Sequence, residues 1–167
     1  MIAGRLIPAI ISVVLLTVLD QFTKLYIVST MELYDSIPVI KDVLEIHYIR
    51  NAGAAWGIFQ NKQLMFYIET IIILLFAFFV YYRCLAKNKY KDIRVLIILI
   101  SSGAIGNFID RVRLKYVIDF IYFKLINFPV FNVADCYVTI GVFVLMFLLI
   151  FKYKETEISD IIKKDSF

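Results

Sequence analysis

Val133-Ala134-Asp135-Cys136-Tyr137-Val138-Thr139-Ile140-Gly141-Val142-Phe143-Val144-Leu145-Met146-Phe147-Leu148-Leu149-Ile150-Phe151 carries one charged side chain in nineteen residues. A helix needs about 20 mostly apolar residues to cross the hydrocarbon core of a bilayer. Pro129 and Asn132 stand just before the run, where a helix start is expected. Asn132 suits an N-cap, and Asp135 falls at the third helical position, where a carboxylate faces the positive end of the helix dipole. Three more runs of this kind lie upstream, at about Ile7–Val28, Leu64–Tyr82 and Val95–Val112. The chain reads as an all-α membrane protein, a four-helix transmembrane bundle forming one integral membrane domain over residues 1–167. Residues 29–63 are its longest segment outside the spans.

Composition agrees. Of 167 residues 62% are hydrophobic and the mean hydropathy is +0.83, which excludes an ordinary soluble domain. The net charge of +4 does not point to nucleic acid, because the basic residues sit in short loops and near the carboxyl end. With both termini inside, the inner segments hold ten lysines and arginines and the outer ones seven, the inner excess resting on the Arg83–Arg94 cluster. That bias puts both termini in the cytoplasm. The first run lacks a basic lead beyond Arg5 and a small-residue cleavage site, so it reads as a retained span. Cys84 and Cys136 have no metal-type spacing and read as free thiols.

Run up-down-up-down, the spans bring their ionisable residues to one face. Asp20 and Lys24 end the first span and Glu69 begins the second. Asn107, Asp110 and Arg111 end the third, and Asn132 and Asp135 begin the fourth. Under the orientation above this layer lies near the outer surface. Charged groups at membrane depth are costly, so each is a functional candidate. Asp20 and Lys24 are spaced to pair on a helix, with Thr17 and Gln21 on the same stripe. A buried ion pair that fixes helix packing is the plain account of them. Gly103, Asn107 and Arg111 recur every four residues and share a face, Gly106 and Asp110 beside them. The glycines suit a close helix crossing.

Between the third and fourth spans, Val117-Ile118-Asp119-Phe120-Ile121 is too short to cross the bilayer and is expected to dip against the bundle as an apolar loop. A carboxylate inside such a run must be neutral, paired or functional. Asp119 precedes Asp135 by sixteen residues, and a short return would carry it to the mouth of the fourth helix. Two adjacent carboxylates raise one pKa and can share a proton. That suits hydrolysis by an activated water, and equally the binding of a cation or a proton. Val43–Arg50 is rich in Ile, Val and Tyr and reads as a short outer strand, broken by Asn51-Ala52-Gly53. Trp56 and Phe59 mark the following segment as a surface one. The tail after Lys152 is mixed in charge, helical or frayed. His47 stands on the outer strand without a Cys or Ser partner, and no zinc cluster, phosphate loop or nucleotide fingerprint is present. Ser101 and Ser102 lack a histidine partner, which leaves Ser–Lys chemistry with Lys24 as the one nucleophile reading open to them.

Five segments in order resemble the motifs of the lipoprotein signal peptidases. They are Asp20-Gln21-Phe22-Thr23-Lys24, Asn51-Ala52-Gly53-Ala54-Ala55-Trp56-Gly57, the stretch Gly103–Arg111, Val117-Ile118-Asp119-Phe120 and Phe131-Asn132-Val133-Ala134-Asp135. The resemblance implies an intramembrane aspartyl endopeptidase of the bacterial cell membrane. It would cut the signal peptide from a prolipoprotein just before its diacylglyceryl-modified cysteine. It places the catalytic aspartates at Asp119 and Asp135. Substrate-binding or supporting roles fall on Asp20, Lys24, Asn51, Gly53, Gly103, Asn107, Arg111 and Asn132. It implies no metal or cofactor, a small extracytoplasmic β-rich cradle over the site, and sensitivity to globomycin-type cyclic peptides. The expected partners are the lipidated substrate and membrane lipid, with the chain a monomer. Trp56 would clamp the substrate from above. Cys136 and Tyr137 stand where the family usually has small residues. Two other readings use the same residues: a proton- or cation-coupled carrier, disfavoured because the carboxylates crowd at one surface, and a structural subunit, which leaves Asp119 unexplained.

Overall fold

The computed structural model describes residues 3–53, 62–85 and 87–162. Four helices in it are long and apolar enough to span a membrane: α1 (Ala3–Thr30), α2 (Gln63–Cys84), α3 (Lys91–Leu114) and α4 (Val133–Phe151). The first three run beyond the sequence-read spans by two to four residues at most ends. Polar residues continue each helix past its apolar run, and hydropathy alone does not mark where the hydrogen-bond ladder stops. The fourth has the bounds read from its cap.

The bundle is built round α3, which packs against α1, α2 and α4. Half of its spanning window is buried, against 11–28% for the others. The reason is compositional. Helix α3 carries the small residues Ser101, Ser102, Gly103, Ala104 and Gly106, which let neighbours approach closely. The other three turn stripes of Ile, Leu, Val and Phe outward, as lipid-facing helices must.

At one end stands a three-stranded antiparallel sheet in the order β1 (Ser36–Ile40), β2 (Leu44–Asn51), β3 (Val117–Phe123). The strand read from Val43–Arg50 is β2. The Val117–Ile121 stretch is not a loop, as the sequence led us to expect. It is β3, with residues 117–120 buried between β2 and the bundle. A continuous apolar run does not reveal its strand partner, which here lies far back in the chain. Lys115, in the left-handed conformation at φ 69°, ends α3 and turns the chain into β3. After β3, a 3-10 turn at Lys124–Ile126 reverses direction, and Phe131 returns to exchange backbone hydrogen bonds with Ile121 at 2.8 and 3.0 Å. That return delivers the chain to the start of α4.

Two apolar cores flank the polar layer. One joins Ile27, Met31, Tyr48, Ile118 and Phe120 beneath the sheet. The other, at the far end, includes Tyr81, Cys84, Tyr90, Ile93 and Tyr153. The tail is ordered there as α5 (Glu155–Ile162), which buries Ile161 and accepts hydrogen bonds from Arg83 at the Ile161 and Asp160 carbonyls. The segment carrying Trp56 and Phe59 lies outside the described residues.

Candidate active site

The site begins with a close crossing of α3 and α4. A methyl group at Gly103 would overlap the Ala134 carbonyl oxygen, and one at Gly106 would lie 2.5 Å from Asp20 Oδ2. Both positions therefore require glycine. The crossing brings the amino end of α4 against α1, where Asp20 Oδ1 accepts a 2.9 Å hydrogen bond from the Ala134 backbone N–H. One carboxylate on α1 thus satisfies a first-turn amide of α4, a group that no partner within α4 could satisfy.

The other Asp20 oxygen faces Lys24 Nζ at 3.0 Å, and Lys24 also lies 2.9 Å from Asp110 Oδ2. Both carboxylates and the ammonium are essentially inaccessible. Such a cluster persists at this depth only because each charge is paired and hydrogen-bonded. Gln21 Nε2 donates to Asp110 Oδ1 at 2.9 Å, and the Ile118 N–H donates to Asp110 Oδ2 at 3.2 Å, which ties the start of β3 to the same cluster.

Lys24 makes one further contact, donating to Asn107 Oδ1 at 3.0 Å. Asn132 Nδ2 donates to that oxygen as well, at 3.1 Å. With its oxygen engaged by two donors, the Asn107 amide turns Nδ2 to Asp135 Oδ1, at 2.7 Å. Asn132 Nδ2 also donates to Asp119 Oδ1 at 2.6 Å, and Asn51 Nδ2 to Asp119 Oδ2 at 2.9 Å. Two adjoining amides therefore link Asp119 and Asp135. Asn132 and Asp135 form a reciprocal capping box at the start of α4, at 3.0 and 3.1 Å. The cap and the cluster are one structure, and the capping account of this pair does not compete with the functional one.

Both aspartates line one cavity of about 620 Å³. Asn51, Gly53, Asn107 and Arg111 share its polar side, while Phe123, Ile126, Phe128, Phe131 and Ile140 form an apolar wall. The Arg111 guanidinium lies 4.5 Å over the Phe66 ring. Asn51 Oδ1 accepts from the Gly53 N–H at 3.0 Å, a local turn that aims its amide at Asp119. Burial first, and the nearby Asp135 second, push the Asp119 carboxyl up to about 7, against the hydrogen bonds from Asn51 and Asn132 that favour its ionised form. Cys136 and Thr139 also face the cavity. Among the described residues, no group of three or more His, Cys, Asp or Glu is placed to hold a metal ion.

Of the polar layer read from the sequence, the structure gathers Asp20, Lys24, Asn107, Asp119, Asn132 and Asp135 into one network, with Asn51, Gly53 and Arg111 on the cavity and Gly103 at the crossing. Glu69 does not join it: that side chain is exposed on the flank of α2 beside Met65, Ile68 and Ile72. Depth alone put it in the layer, whereas its helical azimuth turns it outward. Asp110 and Gln21 belong to the network, although the resemblance assigned them no role. Their i+3 and i+1 offsets from Asn107 and Asp20 were the available signal.

A bundle of four apolar helices whose buried acid–amide network opens on a half-apolar cavity defines a multi-pass membrane protein with an enclosed polar site. The family model described as Signal peptidase (SPase) II matches residues 12–151. The lipoprotein signal peptidase of Streptococcus pyogenes serotype M1 is 42% identical over 142 residues, 84% of this chain and 91% of that protein. The one from serotype M5 (strain Manfredo) matches to the same extent. A solved structure described as a bacterial membrane enzyme superposes with a TM-score of 0.77 at 39% identity, covering 89% of this chain and 92% of the other. A second gives 0.75 at 40% identity over 87% and 94%. The chain belongs to the signal peptidase II family, and is accordingly a peptidase of the bacterial membrane.

Proposed function

We propose that this peptidase removes the signal peptide from diacylglyceryl-modified prolipoproteins, cutting just before the lipidated cysteine, with one water activated between Asp119 and Asp135. The observation that carries the reading is the pair of amides, Asn107 and Asn132, that join two carboxyl groups on the wall of a single cavity. The names of the relatives supply the substrate class. An apolar wall facing a polar floor also suits a substrate whose acyl chains and signal helix stay in lipid while its scissile bond reaches the polar layer.

In this mechanism the ionised aspartate takes a proton from water as the oxygen attacks the scissile carbonyl carbon, while the protonated one donates to the carbonyl oxygen. The tetrahedral intermediate then collapses. Its C–N bond breaks as the aspartate that took the water proton passes it to the cysteine nitrogen, the other aspartate takes back a hydroxyl proton as the C=O bond re-forms, and the signal peptide leaves as a carboxylic acid that ionises in water. The dyad ends with one shared proton, as it began. Arg111 and Asn51 line the same cavity and are placed to hold backbone carbonyls of the substrate. Asp20 and Lys24 act on the dyad through Asn107 and through the amino end of α4. The positive-residue bias supports cytoplasmic termini and a site near the outer leaflet. A globomycin-type cyclic peptide would occupy the cavity, and the network is complete within one chain, as a monomer requires.

The test is conversion of a diacylglyceryl-modified prolipoprotein by the purified protein in detergent, followed by gel shift. Cleavage of the lipidated form with the unlipidated precursor left intact is expected. Failure to cut either, or equal cutting of both, would overturn the assignment.

A further inference from the structure

At the end of the bundle opposite the candidate active site, a groove of about 430 Å³ runs between α3 and α4. Its rim carries Lys89, Lys91 and Lys152, and below the rim lie Val95, Val144 and Leu148. The register is regular. Lys91 and Val95 are one turn apart on α3, and Lys152, Leu148 and Val144 descend α4 in steps of four, so each helix presents ammonium above aliphatic side chain on one face. Val95 and Val144 are 54% and 40% exposed, open to whatever fills the space between the helices.

The rim is held in shape. Tyr90 and Tyr153 are buried and pack with centroids 5.7 Å apart; the Tyr90 hydroxyl donates to the Glu157 carbonyl at 3.0 Å, and the Tyr153 hydroxyl lies 3.0 Å from the Lys89 carbonyl. Lys89 Nζ stands 4.9 Å over the Tyr90 ring and Lys152 Nζ 5.6 Å over the Tyr153 ring. The one carboxylate in the groove, Asp92, is already engaged by Lys152, the Tyr153 hydroxyl and the Ile93 N–H. Glu157 holds Lys89 at 3.1 Å from outside the groove. Both ion pairs are half-exposed at the lysine and cost little to rearrange. Lys91 has no hydrogen bond or ion pair among the described residues.

We propose that this groove is a binding site for an anionic glycerophospholipid, its phosphate between Lys89, Lys91 and Lys152 and an acyl chain along Val95, Val144 and Leu148. Charge at the rim above apolar side chains at hydrocarbon depth matches one amphiphile, and basic pockets between spanning helices are a recurrent form of headgroup recognition. A basic peptide segment is excluded by like charge, and a zwitterionic lipid would present its cationic group to the same lysines. The site is separate from the peptidase cavity and does not depend on that assignment.

The experiment is native mass spectrometry of the full chain released from micelles doped with phosphatidylglycerol or phosphatidylcholine at matched ionic strength. One phosphatidylglycerol should be retained preferentially. Lys91→Gln should weaken retention about fivefold, the effect of one lysine at a lipid surface, and Lys91→Glu more. Because Lys91 is exposed and has no partner among the described residues, both variants should keep the wild-type unfolding midpoint in lipid-free detergent. Equal retention of phosphatidylcholine, unchanged retention by Lys91→Glu, or full displacement by glycerol phosphate at the same concentration as the lipid would each overturn the site.

Discussion

Lys24→Met should unfold this protein more readily than Asp20→Asn. Lys24 is the one cation against Asp20 at 3.0 Å and Asp110 at 2.9 Å. Removing it leaves two buried carboxylates facing each other with no counter-charge. Breaking a buried pair by deleting one partner costs about 3–5 kcal/mol, and here two partners are stranded. Asp20→Asn is different. It leaves Lys24 with Asp110 and with Asn107 at 3.0 Å, and keeps an oxygen for the Ala134 N–H. The expected cost is that of one charged hydrogen bond, about 1.5–3 kcal/mol. Asp20→Ala adds an unsatisfied buried amide at the start of α4, worth about 1–3 kcal/mol more. The assay is thermal unfolding in detergent read by a thiol-reactive fluorophore in a Cys136→Ala background, since Cys84 has 0% exposure and reacts only on opening. Asp20→Asn should be less stable than wild type, and Asp20→Ala and Lys24→Met should each be less stable than Asp20→Asn. An Asp20→Asn protein as unstable as Lys24→Met, or a Lys24→Met protein of wild-type stability, would refute the charge argument.

Gly106→Ala should give little folded protein, because the new methyl would lie 2.5 Å from Asp20 Oδ2 and 3.2 Å from the Ala134 side chain; the yield of monodisperse protein checks it. The Tyr137 hydroxyl is buried without a hydrogen-bond partner among the described residues, so Tyr137→Phe should be neutral or stabilising in the same unfolding assay, and a marked loss of stability would contradict that. Turnover should fall as pH rises through about 7, where Asp119 gives up the proton the reaction needs. Asn51→Ala removes a donor that favours the ionised form, so this alkaline limb should move to higher pH; movement to lower pH would contradict placing that proton on Asp119.

The four spans and the amino end of α4 were legible because length, hydropathy and a cap residue are local signals. Asn132 reads from the sequence as an N-cap and Asp135 as a carboxylate suited to the dipole; that the two close a reciprocal box, at 3.0 and 3.1 Å, is visible only in the structure. The Asp20–Lys24 pair was legible as a local signal too, but the hold of Asp20 on α4 was not: the Ala134 amide it satisfies lies 114 positions along the chain. Strand β3 escaped because Val-Ile-Asp-Phe-Ile has no alternation, and its pairing with β2 is a long-range contact. Glu69 was grouped by depth, yet its neighbours Met65 at i−4 and Ile72 at i+3 mark an outward stripe that would have excluded it. Asp110 stood in the polar layer from the start. Its use emerged only when β3 brought the Ile118 amide to it.

Whether Asp119 and Asp135 act as one catalytic unit is decided by comparing Asp119→Asn and Asp135→Asn with wild type in cleavage of a lipidated prolipoprotein, each variant first shown to be folded. Both should lose at least about 10³-fold in rate, and the double variant should be no slower than either single one, because groups that work together are not additive. Wild-type turnover from either single variant, or losses that multiply in the double variant, would contradict their joint action.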